Sequence, residues 1–393
     1  YGDHRDLHLS IRRQRQMCIR DSTTTGVHPA PGAATHRTAW TIAAEDVDAV
    51  LGLEALARAG MGPLEPTDAH IESMVANAAA WDHEPFTPHR AAHVNDLAAD
   101  YYARMLDAGW AGTYLRDRLR SSDTPPGAGY APPGWTHLTR HLRRHGVTDA
   151  EMLAAGLGSR ARTGAVVDRF RDRLVLPITV DGTVVGFVAR RHPDTDATHG
   201  PKYLNTPTTA AFHKGEILYG VDQQLLRGGA TPVLVEGPMD ALAVTTASHG
   251  RYLGVAPLGT TLTQSQARLL ATLHPEPVVA TDADPAGRAA AERAYWLLTQ
   301  HATTPRAATL PDGSDPADLL HHHGADALTA AIDNAHPLAE DLIRRRLTDG
   351  LDDATIRDVA TVIAADDPSR WLAPVSYTHL RAHETDSYLV CRL

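Results

Sequence analysis

Four short apolar runs alternate with four segments of helical pattern between residues 232 and 322. Apolar runs of this length, bounded by turn residues, are typical of buried parallel strands. Strands that alternate with helices imply a parallel sheet with right-handed crossovers and helices packed on its faces. We therefore predict an α/β fold here, with strands at 232–236, 252–256, 277–282 and 305–309 and helices at 239–248, 263–273, 285–300 and 316–322.

Carboxylates follow the predicted strands in three motifs, VEGPMD at 235–240, TDADPAG at 281–287 and GSDPADLL at 313–320. Ligands of open α/β sheets bind outside the carboxyl ends of the strands, so Glu236 and Asp282 are expected to converge there. Clustered carboxylates repel one another, and a cation is normally needed to keep them ionised together. Oxygen ligands with room for water and phosphate favour Mg²⁺ or Mn²⁺. Any one carboxylate alone would be explained as a polar residue at a helix end, but the ordered set predicts a metal site.

The segment before this region has a different pattern. Apolar residues at a helical period predict a helix at 93–108, and two shorter helices are predicted at about 135–145 and 148–155. The second of these has Thr148 as a candidate N-cap and Glu151 three residues later, which is a capping box. Two alternating runs joined by Asp181-Gly182 predict a tight hairpin of strands at 173–180 and 183–190. A mixed α+β subdomain is therefore expected before the parallel sheet.

The overall charge limits the functions that this chain can have. The 393 residues carry a formal net charge of −10, so a nucleic-acid function requires a local basic surface. Residues 160–191 supply one, with seven arginines against three aspartates. No apolar run approaches the roughly 20 residues that span a bilayer, and no signal-peptide pattern is present. A cytoplasmic location with no membrane partner is the default expectation.

Lysine and cysteine are both rare. Only Lys202 and Lys214 are lysines among the 37 basic residues, which suggests that a compact ammonium group is needed at these two places. The two cysteines, Cys18 and Cys391, cannot form a C-x-x-C zinc ribbon. No zinc is therefore expected in this chain.

The acidic motifs resemble the TOPRIM domain of topoisomerases, primases and related nucleases, and the flanking motifs narrow the resemblance. Upstream stand GYAPPGW (129–135), DRFRDRLVLPI (168–178), PKYLNTP (201–207) and FHKGEILYG (212–220), and LGTTLTQSQ (258–266) follows Glu236. This order resembles the RNA-polymerase domain of bacterial DnaG-type DNA primases over roughly residues 95–345. The resemblance implies a TOPRIM-type parallel sheet flanked by helices, preceded by a mixed α+β subdomain and a helical N-terminal region.

The resemblance also implies a reaction and its residues. Such primases join a ribonucleotide 3′-hydroxyl to the α-phosphate of an incoming nucleoside triphosphate on a single-stranded DNA template, and so make an RNA primer for DNA replication. By matching motifs, Glu236, Asp282 and Asp284 would be the catalytic metal ligands, and Asp240 and Asp315 would be further residues of the metal site. Glu236 would alternatively serve as the general base. Template or triphosphate oxygens would be bound by the basic residues Arg190, Lys202, Lys214 and Arg118.

Two further arginines, Arg169 and Arg171, alternate in sequence with Arg173, which predicts that the three lie on one face of a strand. They would contact the nucleic-acid backbone, or alternatively form structural salt bridges with Asp168 or Asp172.

Some features depart from the family pattern. The third acidic motif reads DPAD where DPD is usual, so Ala317 replaces a carboxylate and Asp318 lies one place further on. The family's zinc-binding and helicase-binding regions are not found, and a replicative helicase would be a partner only through such regions. Two alternatives therefore stay open: a TOPRIM nuclease, or a catalytically degenerate nucleic-acid-binding homologue from a mobile element.

The predicted organisation has six parts. Both terminal segments resemble translated sequencing-adaptor sequence, and the region after the first of them is helical with no assigned role. In chain order, the parts are an artefactual or disordered segment at 1–37, the helical region at 38–92, the α+β subdomain at 93–230, the TOPRIM domain at 231–335, the start of a C-terminal helical region at 336–374 and an artefactual tail at 375–393.

Overall fold

The structure is a computed structural model that describes residues 87–348, apart from 197 and 199, and residues 352–366. The predictions for both terminal segments, and for residues 38–86 and 367–374, lie outside the described residues. No helix among the described residues is long and apolar enough to cross a membrane.

The first part of the described chain combines helices with an antiparallel sheet. The elements are α1 (Pro88–Arg104), a 3-10 turn (Leu106–Ala108), α2 (Ala111–Leu119), β1 (Gly129–Ala131), α3 (His137–Arg144), α4 (Asp149–Ala154), β2 (Gly158–Arg160), β3 (Val166–Asp168), β4 (Arg173–Val180), β5 (Thr183–Arg191) and β6 (Tyr203–Asn205). Four of the strands form the sheet in the order β1-β4-β5-β6, and β2 and β3 form a separate antiparallel pair.

Two local predictions in this part are confirmed. Strands β4 and β5 form the predicted hairpin, and both turn residues have positive φ, 49° at Asp181 and 81° at Gly182, as a type I′ turn requires. Helix α4 begins with the predicted capping box, in which the Glu151 N–H donates to Thr148 Oγ1 and the Thr148 N–H donates to Glu151.

The second part is the predicted α/β region. The elements are β7 (Leu218–Tyr219), α5 (Gln223–Arg227), β8 (Thr231–Leu234), α6 (Pro238–Ala247), β9 (Tyr252–Pro257), α7 (Gln264–Leu273), β10 (Val278–Val279), α8 (Pro285–Thr299), β11 (Arg306–Ala307), α9 (Pro316–His323), α10 (Ala325–Asp333), β12 (His336–Pro337), α11 (Leu338–Thr348) and α12 (Asp353–Ala365). The strands form a six-stranded sheet in the order β12-β11-β10-β8-β9-β7. The four inner strands are parallel, and the edge strands β7 and β12 are antiparallel to their neighbours.

The inner strands alternate their side chains between two hydrophobic cores. Val233 and Val278 pack into one core, and Leu234 and Val279 pack into the other. The first core also contains Leu176 and other residues of the antiparallel sheet, so both sheets share it. Each fully buried Val or Leu contributes roughly 1.5–3 kcal/mol to folding, and the shared core fixes the position of one sheet against the other. A cleft therefore forms where the strand ends of one sheet face the other sheet.

Candidate active site

A pocket of about 410 Å³ lies at this junction. One wall comes from α2, β5 and β6 of the first part. The other wall comes from the chain just beyond β8, β9 and β10 and from the start of α9. Residues from both walls line the pocket, and the polar ones that matter for its chemistry are Tyr114, Arg118, Arg190, Lys202, Tyr203, Asn205, Glu236, Asp240, Thr260, Asp282 and Asp315.

Glu236 and Asp282 meet at the strand ends as predicted. Glu236 Oε1 accepts the backbone N–H of Asp282 at 3.1 Å. Asp282 Oδ1 is buried and has no hydrogen-bond partner in the structure. Burial, followed by repulsion from Glu236, Asp315 and Asp284, raises the pKa of Asp282 to about 6. An unpartnered carboxylate oxygen among other carboxylates is a group that a cation would stabilise.

Asp240 lies in the first turn of α6 and is a buried residue of the pocket lining. Its Oδ1 accepts the Ala317 N–H at 3.3 Å. Burial, followed by repulsion from Asp315, raises the pKa of Asp240 to about 8, and the Ala317 N–H opposes this only in part. The carboxylate of Asp240 is therefore costly to ionise unless positive charge is nearby.

Asp284 and Asp315 both begin helices. Asp284 accepts the Gly287 N–H at 2.7 Å at the start of α8, and Asp315 accepts the Asp318 N–H at 2.5 Å at the start of α9. Gly287 has a steric role, because a Cβ at this position would lie 2.0 Å from the backbone oxygen of Asp282. These two caps hold the carboxylates of Asp284 and Asp315 at the N-termini of α8 and α9.

Arg118 is engaged by the third acidic motif. Its guanidinium lies 2.5 Å from Asp318 Oδ1 and 3.3 Å from Asp315 Oδ1, and its side chain is only 17% exposed. Asp318, which stands one place later than the carboxylate of the family pattern, therefore pairs with Arg118 on α2. Arg118 therefore has two carboxylate partners and also lines the pocket, and its role in binding template or nucleotide stays a prediction.

This pair predicts a stability effect. Replacing Arg118 with Ala should lower the free energy of unfolding by about 1–2 kcal/mol, because two partly buried carboxylates lose their counter-ion. Arg116→Ala is the matched control, since it removes a pair on the same helix whose Asp107 partner is 68% exposed, and it should cost under about 0.5 kcal/mol. Urea unfolding measures both changes, and equal losses would contradict the assignment.

Arg190 and Lys202 line the pocket on the wall opposite Glu236. Arg190 and Tyr203 are directly paired across β5 and β6. The Arg190 guanidinium carbon lies 4.9 Å from the ring centre of Tyr114 and 5.7 Å from that of Tyr203. The Lys202 ammonium lies 5.8 Å from the Tyr203 ring centre. Aromatic contacts on both sides fix the direction of the Arg190 side chain.

Lys214 differs from the other predicted cations. The residue is exposed and does not line the pocket. Its backbone oxygen accepts the side-chain amide of Gln266 at 2.9 Å. The structure therefore brings Lys202, but not Lys214, into the pocket.

The assignment of Arg169 and Arg171 to a strand is wrong. Strand β4 begins at Arg173, because Asp172 adopts a left-handed conformation with φ of 47° that interrupts an extended chain. The three arginines nevertheless line one cavity of about 310 Å³, a result of the turn rather than of strand alternation.

The alternative of salt bridges to Asp168 or Asp172 is also wrong for Arg169 and Arg171. Arg169 donates to the backbone oxygen of Asn205 at 3.0 Å, and Arg171 donates to that of Asp168. The Asp168 carboxylate instead accepts two backbone N–H groups at the start of α3, each at 2.8 Å. The Asp172 carboxylate accepts hydrogen bonds from the indole N–H of Trp110 at 2.9 Å and from the hydroxyl of Tyr130 at 2.6 Å.

Trp135 is a surface residue, and no pattern in the sequence predicts a binding role for it. It is 63% exposed, and the Arg171 guanidinium carbon lies 4.2 Å from its ring centre. The motif GYAPPGW contains it, but the sequence gives no sign that the ring faces solvent beside a cluster of arginines. The stacked pair adds an aromatic platform to the basic surface.

Comparisons with known proteins agree with this geometry. Residues 101–225 match the family model of the DNA primase catalytic core, N-terminal domain, and residues 233–320 match the Toprim-like model. The DNA primase of Streptomyces coelicolor is 36% identical over 270 residues, which are 65% of this chain and 41% of that protein. The chain therefore spans about two fifths of the length of that curated relative.

Solved structures match over about three quarters of the chain. The RNA polymerase domain of Mycobacterium tuberculosis primase DnaG is 32% identical with a TM-score of 0.63, and the match covers 76% of this chain and 99% of that one. A DnaG primase catalytic domain bound to single-stranded DNA is 28% identical with a TM-score of 0.62, over 74% of this chain and 97% of that one. The chain therefore belongs to the family of DnaG-type DNA primases, and the part that the structure describes corresponds to the RNA polymerase domain of that family.

Proposed function

We propose that this chain synthesises RNA primers on a single-stranded DNA template by divalent-metal-dependent nucleotidyl transfer from nucleoside triphosphates. The observation that carries the proposal is the opposition of charges across one pocket. Glu236 and Asp282 occupy one wall, and Arg190 and Lys202 occupy the other. A triphosphate with its counter-ion is the kind of ligand that satisfies both walls at once.

The carboxylate wall fits a divalent cation. Asp282 Oδ1 is buried without a partner, and the pKa of both Asp282 and Asp240 is raised by burial and neighbouring carboxylates. Among the described residues, no group of three or more His, Cys, Asp or Glu side chains stands close enough to hold a metal by itself. Waters and phosphate oxygens would therefore complete the coordination, as is usual for Mg²⁺ and accessible to Mn²⁺.

Each residue has a separate part in this proposal. Glu236 and Asp282 would hold the cation, with Asp240, Asp284 and Asp315 around them. The cation, when bound, would neutralise charge on the reacting phosphate and on the pyrophosphate that leaves. Arg190, held between its two tyrosines, and Lys202 would bind phosphate oxygens and orient the triphosphate.

The template would bind along the arginines beside Trp135. Single-stranded nucleic acids bind where a basic groove follows the backbone and aromatic rings stack on bases. Trp135 with Arg171 on its face, and Arg169 nearby, provides both features. The DNA-bound structural relative supports this partner for the chain.

A substitution separates stacking from charge on this surface. Trp135→Ala should weaken binding of a labelled single-stranded DNA by about tenfold, because one stacked base is worth roughly 1–3 kcal/mol. The slope of affinity against salt should hardly change, whereas Arg171→Ala should reduce that slope by about one. Val180→Ala is the control, because Val180 is also an exposed apolar side chain, at 39%. Fluorescence anisotropy at several salt concentrations measures these effects, and equal losses in the Trp135 and Val180 variants would contradict the assignment.

The function itself is tested by incubating the chain with single-stranded DNA, four ribonucleoside triphosphates and Mg²⁺ or Mn²⁺. Formation of short, alkali-labile RNA that is complementary to the DNA would support the proposal. Shortened DNA without RNA would favour the nuclease alternative. DNA binding without either product would favour a degenerate homologue, in which Ala317 has removed a required carboxylate.

A further inference from the structure

A second cavity lies on the other side of Glu236. Its volume is about 340 Å³, and it is bounded by the ends of β8 and β9, the chain after β10 and the middle of α8. Glu236, Pro257, Gly259 and Thr260 line this cavity and also the pocket described above. The metal-site glutamate therefore stands on a wall between two adjoining compartments, and only one compartment has a role so far.

The two compartments differ in their chemistry. The second cavity is lined by three threonines, Thr260, Thr261 and Thr281, by one cation, Arg293, and by the Glu236 carboxylate that it shares with the first compartment. Arg293 is exposed, and it forms no ion pair within the part of the chain that the structure describes. The first compartment instead presents three cations, Arg118, Arg190 and Lys202, together with four carboxylates. Hydroxyl groups with one cation suit a ligand that has several hydroxyls and a single negative charge.

Nucleotidyl transfer needs two ligands at such a site. The 3′-oxygen attacks the α-phosphorus and forms a new P–O bond, while the bond to the bridging oxygen breaks, pyrophosphate leaves with its electron pair, and the hydroxyl proton passes to water. The attacking and leaving oxygens lie roughly in line on opposite sides of the phosphorus. The two ligands must therefore approach the carboxylates from opposite directions, as the two compartments allow.

Charge decides which ligand takes which compartment. The triphosphate carries several negative charges and matches the side with Arg190 and Lys202. The end of the primer carries one phosphodiester charge and two ribose hydroxyls at its last nucleotide. We propose that the cavity lined by Arg293 and the three threonines binds the 3′-terminal ribonucleotide of the growing primer. This inference rests on the proposed primer synthesis and adds the subsite that holds the attacking strand.

Individual residues have distinct parts in this subsite. Arg293 would form charge-assisted hydrogen bonds with the last phosphodiester. The threonine hydroxyls, which donate and accept, would bond the ribose hydroxyls, and the 2′-hydroxyl is the group by which a protein distinguishes RNA from DNA. Thr260 lines both compartments, so it would lie where the 3′-hydroxyl meets the triphosphate.

The test uses the full chain and a DNA template annealed to a short RNA primer, with one complementary nucleoside triphosphate. Arg293→Ala should raise the KM for the primed template about tenfold and leave the KM for the nucleoside triphosphate unchanged, since one charge-assisted contact is lost. Lys202→Ala should do the reverse. Arg288→Ala is the matched control, because Arg288 is an exposed arginine on α8 that does not line the cavity.

A second variant tests the proposed hydroxyl contacts. Its readout is a preference between two primers, which a general loss of protein stability would not change. Thr261→Val should reduce the preference for a ribose over a 2′-deoxyribose primer terminus, measured as the ratio of kcat/KM values. The inference is overturned if Arg293→Ala changes the KM for the triphosphate instead, or if it behaves as Arg288→Ala does while the wild type extends primers. If the wild type extends no primer at all, the proposed function fails first, and the two failures are distinguishable.

Discussion

Asp282→Asn should reduce ribonucleotide incorporation by about a thousandfold or more, because the reaction depends on charge placed beside the transferred phosphate. Asp282 is the residue whose buried oxygen lacks a partner and whose pKa is raised to about 6. Asparagine has nearly the same shape but cannot offer an anionic oxygen to a cation. The loss should appear in kcat at saturating triphosphate, measured as labelled ribonucleotide incorporated on single-stranded DNA.

Two controls make this result specific. The Asp282→Asn protein should bind single-stranded DNA with nearly unchanged affinity, because Arg171 of the proposed template surface lines a different cavity and Trp135 does not line the pocket. Asp326→Asn alters an acidic residue in the first turn of α10, which does not line the pocket, and should retain activity. A variant at Asp282 that keeps more than about a tenth of wild-type incorporation would remove this residue from the chemistry.

Asp240→Asn should stabilise the metal-free protein at pH 8 by several kcal/mol, up to about 5, because each unit by which the pKa is raised corresponds to roughly 1.4 kcal/mol. The pKa of Asp240 is raised to about 8 in the folded chain, above its ordinary value of 3.8. The folded state therefore holds this proton more tightly than the unfolded state does. Stability from this group is fully present below about pH 4 and is lost as the pH rises toward 8. Asparagine removes the penalty and keeps an oxygen that accepts the Ala317 N–H.

The measurement is the difference in unfolding free energy between wild type and Asp240→Asn in a chelator, from pH 4 to pH 8. The difference should be near zero at pH 4 and largest at pH 8, so the sign is opposite to that of a carboxylate in a stabilising salt bridge. Excess Mg²⁺ at pH 8 should stabilise the wild type more than the variant. A variant that is less stable than wild type at pH 8 without metal would contradict the raised pKa.

The sequence was most informative where local pattern and sheet geometry agree. Glu236 and Asp282 could be placed together because parallel strand ends lie on one edge of a sheet, whatever the details of the loops. The hairpin at Asp181-Gly182 and the cap at Thr148 could be predicted because each depends on neighbouring residues only. The edge strands β7 and β12 were missed because both lie outside residues 232–322, the stretch in which apolar runs and helical segments alternate in the sequence.

Other parts of the site depend on contacts between distant segments. Arg118 pairs with Asp318, 200 residues later, because α2 packs against α9, and no local pattern encodes this contact. The family resemblance predicts that Arg118 binds template or nucleotide, and this stays a prediction; its pairing with Asp315 and Asp318 is what the structure adds. Lys214 matches a family position, yet its side chain is exposed and does not line the pocket. Its place depends on the path of the chain between β6 and β7, which the sequence does not predict. The exposure of Trp135 likewise follows from tertiary packing.

The central claim is that the carboxylate wall binds the cation on which primer synthesis depends. Its most direct test is a titration of one preparation with Mn²⁺, in which ion binding is followed by electron paramagnetic resonance and ribonucleotide incorporation is followed on single-stranded DNA. Binding and incorporation should saturate over the same range of Mn²⁺ concentration, and Asp282→Asn should lose both. Incorporation that continues at its full rate in excess chelator, or Mn²⁺ binding that survives in Asp282→Asn unchanged, would contradict it.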